Sequence, residues 1–155
     1  MRKLGKGSLS RVWEVKFEGK HYAMKIVNLK VYNKVMRLSQ DLTHEVEILR
    51  ILDHPSIPKL HHTIKTYKDP YNPKYAVLLM DLVKGKTLRE HLEAKPEDRL
   101  SNKEAKSILK QLLSTLAYLE DLNVYHRNLT LENLMIDSKG KVSLVDFSLC
   151  MLVKN

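Results

Sequence analysis

A chain of 155 residues with 43% hydrophobic side chains can close a core of ordinary domain size, and its formal charge of +9 suits anionic partners. Its basic residues are interspersed with acidic ones, without a low-complexity tail, a repeat or an RNA-binding aromatic pattern, so nothing points to nucleic acid. The single cysteine, Cys150, excludes an internal disulfide framework and a cysteine-rich zinc site, and no apolar run is long enough to span a bilayer.

In MRKLGKGSLS (1–10) basic residues precede no apolar stretch, so no secretory signal is apparent and a cytoplasmic or nuclear protein is expected. RVWEVKF (11–17) alternates, with Trp13, Val15 and Phe17 on one face, and predicts a strand. EGK (18–20) supplies a turn, and HYAMKIV (21–27) predicts a second strand with Lys25 on the face of Ala23 and Val27. A lysine on an apolar face requires an anionic partner. From about Leu38 to Leu52, Leu38, Leu42, Val46 and Leu49 recur at helical spacing, with Glu45 beside them. DHPSIPKL (53–60) ends that helix. Strand-like stretches at 59–66 and 75–81 flank YKDPYNPK (67–74), whose two prolines mark an exposed loop.

The second half opens with a short helix over 87–94, broken by KPEDRL (95–100). Ser101 and Glu104 form a capping-box pattern for a helix running to about Leu122. Its apolar positions (Ala105, Ile108, Leu109, Leu112, Leu113, Leu116, Ala117 and Leu119) form a stripe broader than one neighbour requires. Strands are predicted at 134–137 and 142–145, joined by SKG (138–140). A β-rich half with one helix thus precedes an α-rich half ending in a hairpin, which is an α+β chain.

LGKGSLSRV (4–12) resembles the glycine-rich loop of protein kinases, G-x-G-x-x-G-x-V, with Ser10 at the third glycine. Such a loop brings backbone N–H groups close to phosphate, though two glycines alone would suit an ordinary hairpin equally. YAMKIV (22–27) resembles the family's third strand, and HEVEIL (44–49) its following helix. LDHPSIPKL (52–60) resembles the turn after it, and VLLMDLVKGKTL (77–88) the adenine-contacting strand and hinge. YHRNLTLENLMI (125–136) aligns with H-R-D-x-x-x-x-N, and LVDFSL (144–149) with D-F-G.

The chain therefore resembles a protein kinase domain of the Ser/Thr type, nearest in look to the group that includes the cyclic-AMP-dependent kinase. The resemblance implies a β-rich lobe with one helix over 1–82 and a partial helical lobe over 83–155, within a single kinase-like domain. It implies ATP, with Mg²⁺ as a further cofactor. Nucleotide contacts would come from Gly5, Lys6, Gly7, Ser8, Ser10, Val12 and Ala23, from Lys25 with its partner Glu45, from Met80 at the gatekeeper place, and from Asp81 and Val83 in the hinge. Asn133 and Asp146 would hold metal.

Several residues depart from that pattern. Asn128 stands at the catalytic carboxylate, and an amide takes no proton at pH 7. General-base contributions of roughly 10²–10⁴ correspond to about 3–5 kcal/mol of barrier, although a loose phosphoryl transfer leaves room for residual activity. Thr130 replaces the lysine that neutralises the transferring phosphate. Ser10 narrows the phosphate loop, and Ser148, at the glycine of D-F-G, reduces backbone freedom beside the metal ligand. The sequence ends at CMLVKN (150–155), so it is expected to be truncated after the D-F-S segment. Arg127 would then lack the activation-loop phosphate it reads in the family, and an exposed apolar face on the 101–122 helix would call for a covering protein partner. The reading is a pseudokinase that binds nucleotide or scaffolds. The alternatives are an active Ser/Thr kinase that transfers the ATP γ-phosphate to protein, and a basic interaction fragment that binds no nucleotide.

Overall fold

The structure, a computed structural model, describes residues 1–6, 10–29, 42–65 and 75–153. They form two compact units, one drawn from residues 1–50 and 59–82, the other from 51–58 and 83–155.

The first unit is built on an antiparallel five-stranded sheet. Its strands are β1 (Arg2–Lys6), β2 (Ser10–Phe17), β3 (Lys20–Asn28), β4 (Leu60–Lys65) and β5 (Tyr75–Asp81), in the order β1-β2-β3-β5-β4. Glu18 and Gly19 both have positive φ, 47° and 79°, as the tight β2–β3 hairpin turn demands. That turn pins the register from Ser10↔Val27 to Phe17↔Lys20. Ala23, Lys25 and Val27 are all buried on one face of β3, next to Ala76 and Leu78 of β5. Helix α1 (Leu42–Ile51) buries Leu42, Val46 and Leu49 as the spacing predicts, together with Ile48 and Glu45. The predicted start at Leu38 lies outside the described residues. None of Trp13, Val15 and Phe17 is buried, and Phe17 is 51% exposed.

The second unit contains β6 (Lys86–Thr87), α2 (Leu88–Glu93), α3 (Asn102–Asp121), β7 (Val124–Tyr125), β8 (Leu134–Ile136), β9 (Val142–Leu144) and β10 (Met151–Leu152). Strands β6, β8 and β9 form one small sheet, while β7 pairs with β10. Thr87 and Glu90 close a full capping box on α2. The box expected on α3 is only half made. Ser101 Oγ accepts from the Glu104 N–H, but the Glu104 carboxylate turns to His91 and Lys95, at 2.7 and 3.0 Å. The hydrogen bond from His91, and after it that from Lys95, holds the carboxyl below the usual carboxylate range.

Helix α3 buries Ile108, Thr115 and Leu119, whereas Leu109 and Leu113 are 54% and 62% exposed. The broad stripe thus has one buried edge and one exposed edge. Gln111 ties α3 to the β8–β9 hairpin by donating to Gly140 O and accepting from Val142 N–H, both at 2.9 Å. Gly85 (φ 129°) lies so close to β8 that a Cβ there would stand 2.2 Å from Ile136 O. Among the described residues, no helix is long and apolar enough to cross a membrane.

Candidate functional site

Alternation along β3 aims Lys25 at the interior of the first unit, and the helical spacing of α1 aims Glu45 at the same place. Lys25 Nζ lies 2.6 Å from Glu45 Oε1, with the side chains only 5% and 2% exposed. Two charges this deep have left water at a cost of several kcal/mol each, which only close pairing offsets. Glu45 Oε2 is also buried and has no hydrogen-bond partner among the described residues. The Lys25–Glu45 partnership that the resemblance implied is therefore present as a contact.

In the second unit, β7 leads into a loop organised around His126, which is buried. Its Nε2 lies 3.1 Å from Val145 O, and its Nδ1 lies 3.3 Å from the Asn128 backbone N. A carbonyl only accepts, so Nε2 donates and Nδ1 accepts, which defines a neutral imidazole. Burial pushes the His126 pKa down, against the opposing pull of the Val145 hydrogen bond and the Asp146 charge. Phe147 meets the ring edge-on at 4.8 Å. Arg127, with a left-handed φ of 61°, donates Nε to Leu149 O at 2.7 Å and Nη1 to Met151 Sδ at 3.7 Å. Its guanidinium thus holds the chain that follows D-F-S, an engagement the sequence reading did not foresee.

The two asparagines of the loop come together. Asn133 Nδ2 donates to Asn128 O at 3.0 Å, and Asn133 O accepts from Val145 N–H at 2.9 Å, one residue before Asp146. Spending its NH₂ group on the loop leaves the Asn133 amide its oxygen to offer. Asp146 is exposed and left-handed (φ 61°), a region that costs an L-residue roughly 1–2 kcal/mol. Its flanks sustain it, since Val145 is bonded to Asn133 and the Phe147 side chain is 1% exposed. Ser148 Oγ donates to Asp146 Oδ1 at 2.8 Å. Ser148 itself lies outside the left-handed region, and its bond to the carboxylate is a contact the sequence reading did not foresee.

An amide oxygen and a carboxylate on linked backbone are hard donors that fit Mg²⁺, which takes few protein ligands and completes its shell with phosphate and water. Among the described residues no group of three His, Cys, Asp or Glu could hold a metal unaided. The donor set suits a cation that arrives with a phosphate.

The other predicted positions are more dispersed. Thr130 is exposed and its hydroxyl bonds the Glu132 carboxylate, which also meets Arg89 Nε at 3.0 Å. Arg89 first, then the Glu132 backbone N–H and Thr130, hold that carboxyl below its usual range. Gly5 pairs with Val12 and Lys6 with Arg11, so β1 and β2 form the expected antiparallel pair beside Ser10. Gly7 and Ser8 lie outside the described residues. A Cβ on Gly5 would meet nothing within 4 Å, so no neighbour among the described residues demands glycine there. Met80 pairs with Ala23 on one side and with Leu60 on the other. Asp81, expected in a hinge, also clamps the start of β4. Its carboxylate accepts from Lys59 N–H at 3.0 Å and meets His61 Nε2 at 2.7 Å. Val83 is half-buried and belongs to the second unit.

The sequence pattern of the protein kinase domain matches residues 1–155. Sperm motility kinase 3A of Mus musculus is 36% identical over 138 residues, which are 88% of this chain and 24% of that protein. CBL-interacting protein kinase 17 of Oryza sativa subsp. japonica is 30% identical over 154 residues, 97% of this chain and 32% of its own length. Hormonally up-regulated neu tumor-associated kinase of Homo sapiens is 32% identical over 150 residues, 96% of this chain and 20% of its own. The chain thus spans at most 32% of the length of these relatives, and their names lend no support to the cyclic-AMP-dependent group. With its α+β architecture and a match along its whole length, the chain belongs to the protein kinase domain family.

Proposed function

We propose that this chain is a nucleotide-binding, protein-kinase-like region whose phosphotransfer is impaired or absent. The buried Lys25–Glu45 pair carries the reading, because a charge pair at this depth adds little net stability over an apolar pair of similar volume. A role in meeting phosphate gives the lysine a reason to be there. The family in general uses ATP and Mg²⁺. In this chain Lys25 would meet the phosphates, and Asn133 and Asp146 the cation.

Loss of transfer follows from Asn128 and Thr130. The Asn128 amide can orient a hydroxyl but cannot take its proton. Thr130 supplies a hydroxyl bonded to Glu132 where the family carries a cation. A covering protein partner is not needed for this reading, although Leu109 and Leu113 are the residues it would meet.

Thermal unfolding with and without Mg-ATP tests the binding half. Nucleotide at about 100 times its Kd should add about 2.7 kcal/mol of stability. A flat response would favour the basic interaction fragment instead. Phosphate transfer to a generic protein acceptor tests the other half: clear turnover that Asp146→Asn abolishes would establish an active kinase and overturn the impairment.

A further inference from the structure

We propose that the face of the five-stranded sheet turned away from α1 is a docking surface for an acidic amphipathic helix of a partner protein. The inference does not depend on nucleotide binding. A sheet with one face in water normally keeps that face polar. Here both faces are apolar. Ala23, Lys25 and Val27 of β3 lie on the inner face, where Lys25 meets Glu45 of α1, and the residues between them form rungs across the opposite face. Trp13, Met24 and Leu79 make one rung, and Ile26, Val77 and Ile64 the next. Val15 and Tyr22 begin a third, with Phe17 following on β2. None of these side chains is buried, and Phe17 and Ile64 are 51% and 59% exposed. The surface is contiguous and rich in the aromatic and methionine side chains that fill interface cores.

The charges around that surface select its occupant. Arg11 lies on the Trp13 side of β2, Lys3 pairs with Trp13 from β1, and Lys20 pairs with Phe17 from β3; all three are exposed. Asp81, paired with Tyr22, supplies a carboxylate to these rungs, but Lys59 N–H and His61 engage it. Glu14 pairs with Ala23 and so belongs to the inner face, where it meets Arg2 and His21. A second copy docked face to face would set the same three cations against each other, and like charges across an interface are costly. A lipid surface is flat, whereas neighbouring strands turn by about 20–25°, so five of them accumulate roughly 80–100° of twist. A helix fits instead, because helix on sheet is a stable pair of layers. About 18 helical residues span roughly 27 Å, enough to cross five strands set about 4.8 Å apart. Glutamates flanking the apolar stripe of such a helix would meet Lys3, Arg11 and Lys20.

The test titrates the whole chain with a synthetic, tryptophan-free peptide of about 18 residues, with leucines at helical spacing and glutamates flanking them. Its controls are a peptide with lysine in place of glutamate, the same residues in scrambled order, and vesicles of phosphatidylserine and phosphatidylcholine. Trp13 is the chain's single tryptophan, so its emission should shift to the blue as the acidic helix covers it. Binding should weaken about fivefold or more in Arg11→Glu, and likewise in the double variant Phe17→Ser with Ile64→Thr. All three positions are exposed, so circular dichroism should show these variants folded. Raising salt from about 50 to about 500 mM should also weaken binding. Equal binding of the acidic, lysine and scrambled peptides overturns the inference, as does unchanged affinity in Arg11→Glu or an acidic helix that leaves Trp13 emission unmoved. A Trp13 shift with vesicles alone assigns the face to a membrane and overturns the inference too. So does a dimer in sedimentation that the double variant dissolves, which assigns the face to a second copy.

Discussion

Replacing Lys25 by methionine keeps most of the stem volume and deletes the charge, which isolates the electrostatic part of the buried pair. Glu45 would then lose its 2.6 Å partner with a side chain only 2% exposed, while Oε2 already has no hydrogen bond among the described residues. Breaking a buried pair from one side costs about 3–5 kcal/mol, a large share of a typical domain stability of about 5–15 kcal/mol. With a urea m-value of about 1–3 kcal/mol per molar, the unfolding midpoint should fall by roughly 1 M or more. Trp13 is the chain's single tryptophan and sits on β2 opposite Met24, so its fluorescence reports on the unit that contains the pair. The double variant Lys25→Met with Glu45→Leu removes both charges and should recover most of the loss. A single variant within about 1 kcal/mol of wild type, or a double variant no better than the single, would refute the reasoning that Glu45 depends on Lys25.

Gly85→Ala would force a Cβ to within 2.2 Å of Ile136 O at a φ of 129°, and should destabilise the second unit by about 1–3 kcal/mol or more, visible as a lower Tm. Gln111→Leu leaves Gly140 O and Val142 N–H without their α3 partner; a loss of about 1–3 kcal/mol and faster amide exchange at Val142 are expected. Burial pushes the imidazoles of His126 and His54 down, with the Lys141 charge adding to the effect at His54. Each holds fewer protons folded than unfolded just below the unfolded value of about 6.5, so this stability is complete above that pH and is lost as pH falls through the folded pKa. Ring resonances of His126 that titrate at or above the ordinary value would contradict this. Asn128→Asp alone should not restore phosphate transfer, because Thr130 still offers only a hydroxyl bonded to Glu132; restored turnover in a radiolabel assay would show that the carboxylate was the one missing part.

Much of the fold was legible because it follows from local periodicity. The alternation through Ala23, Lys25 and Val27 identified the buried face of β3, and helical spacing placed Glu45 beside the Leu42–Val46–Leu49 stripe. Helix α3 and the β8–β9 hairpin came within a residue of their predicted bounds. The two-residue strands β6, β7 and β10 are too short to carry a period, so they left no signal. The capping box on α2 was overlooked although Thr87 and Glu90 have the required spacing, and a search for that pattern before every short helix would have found it.

Sequence by itself determined the family and the identity of the substituted residues, because motif order and side-chain chemistry survive without coordinates. An amide at residue 128 cannot act as a base in any fold. Only the tertiary structure decided what each polar group spends its hydrogen bonds on. It turned Glu104 from its own helix N-terminus to His91 and Lys95, set Arg127 on the Leu149 carbonyl, and made Asp81 a clamp for β4. It also gave Ser148 a partner two residues away, the Asp146 carboxylate at 2.8 Å. The physical reason is common to these cases: a polar side chain bonds the groups that folding places within about 3 Å of it, and spacing along the chain rarely says which those are.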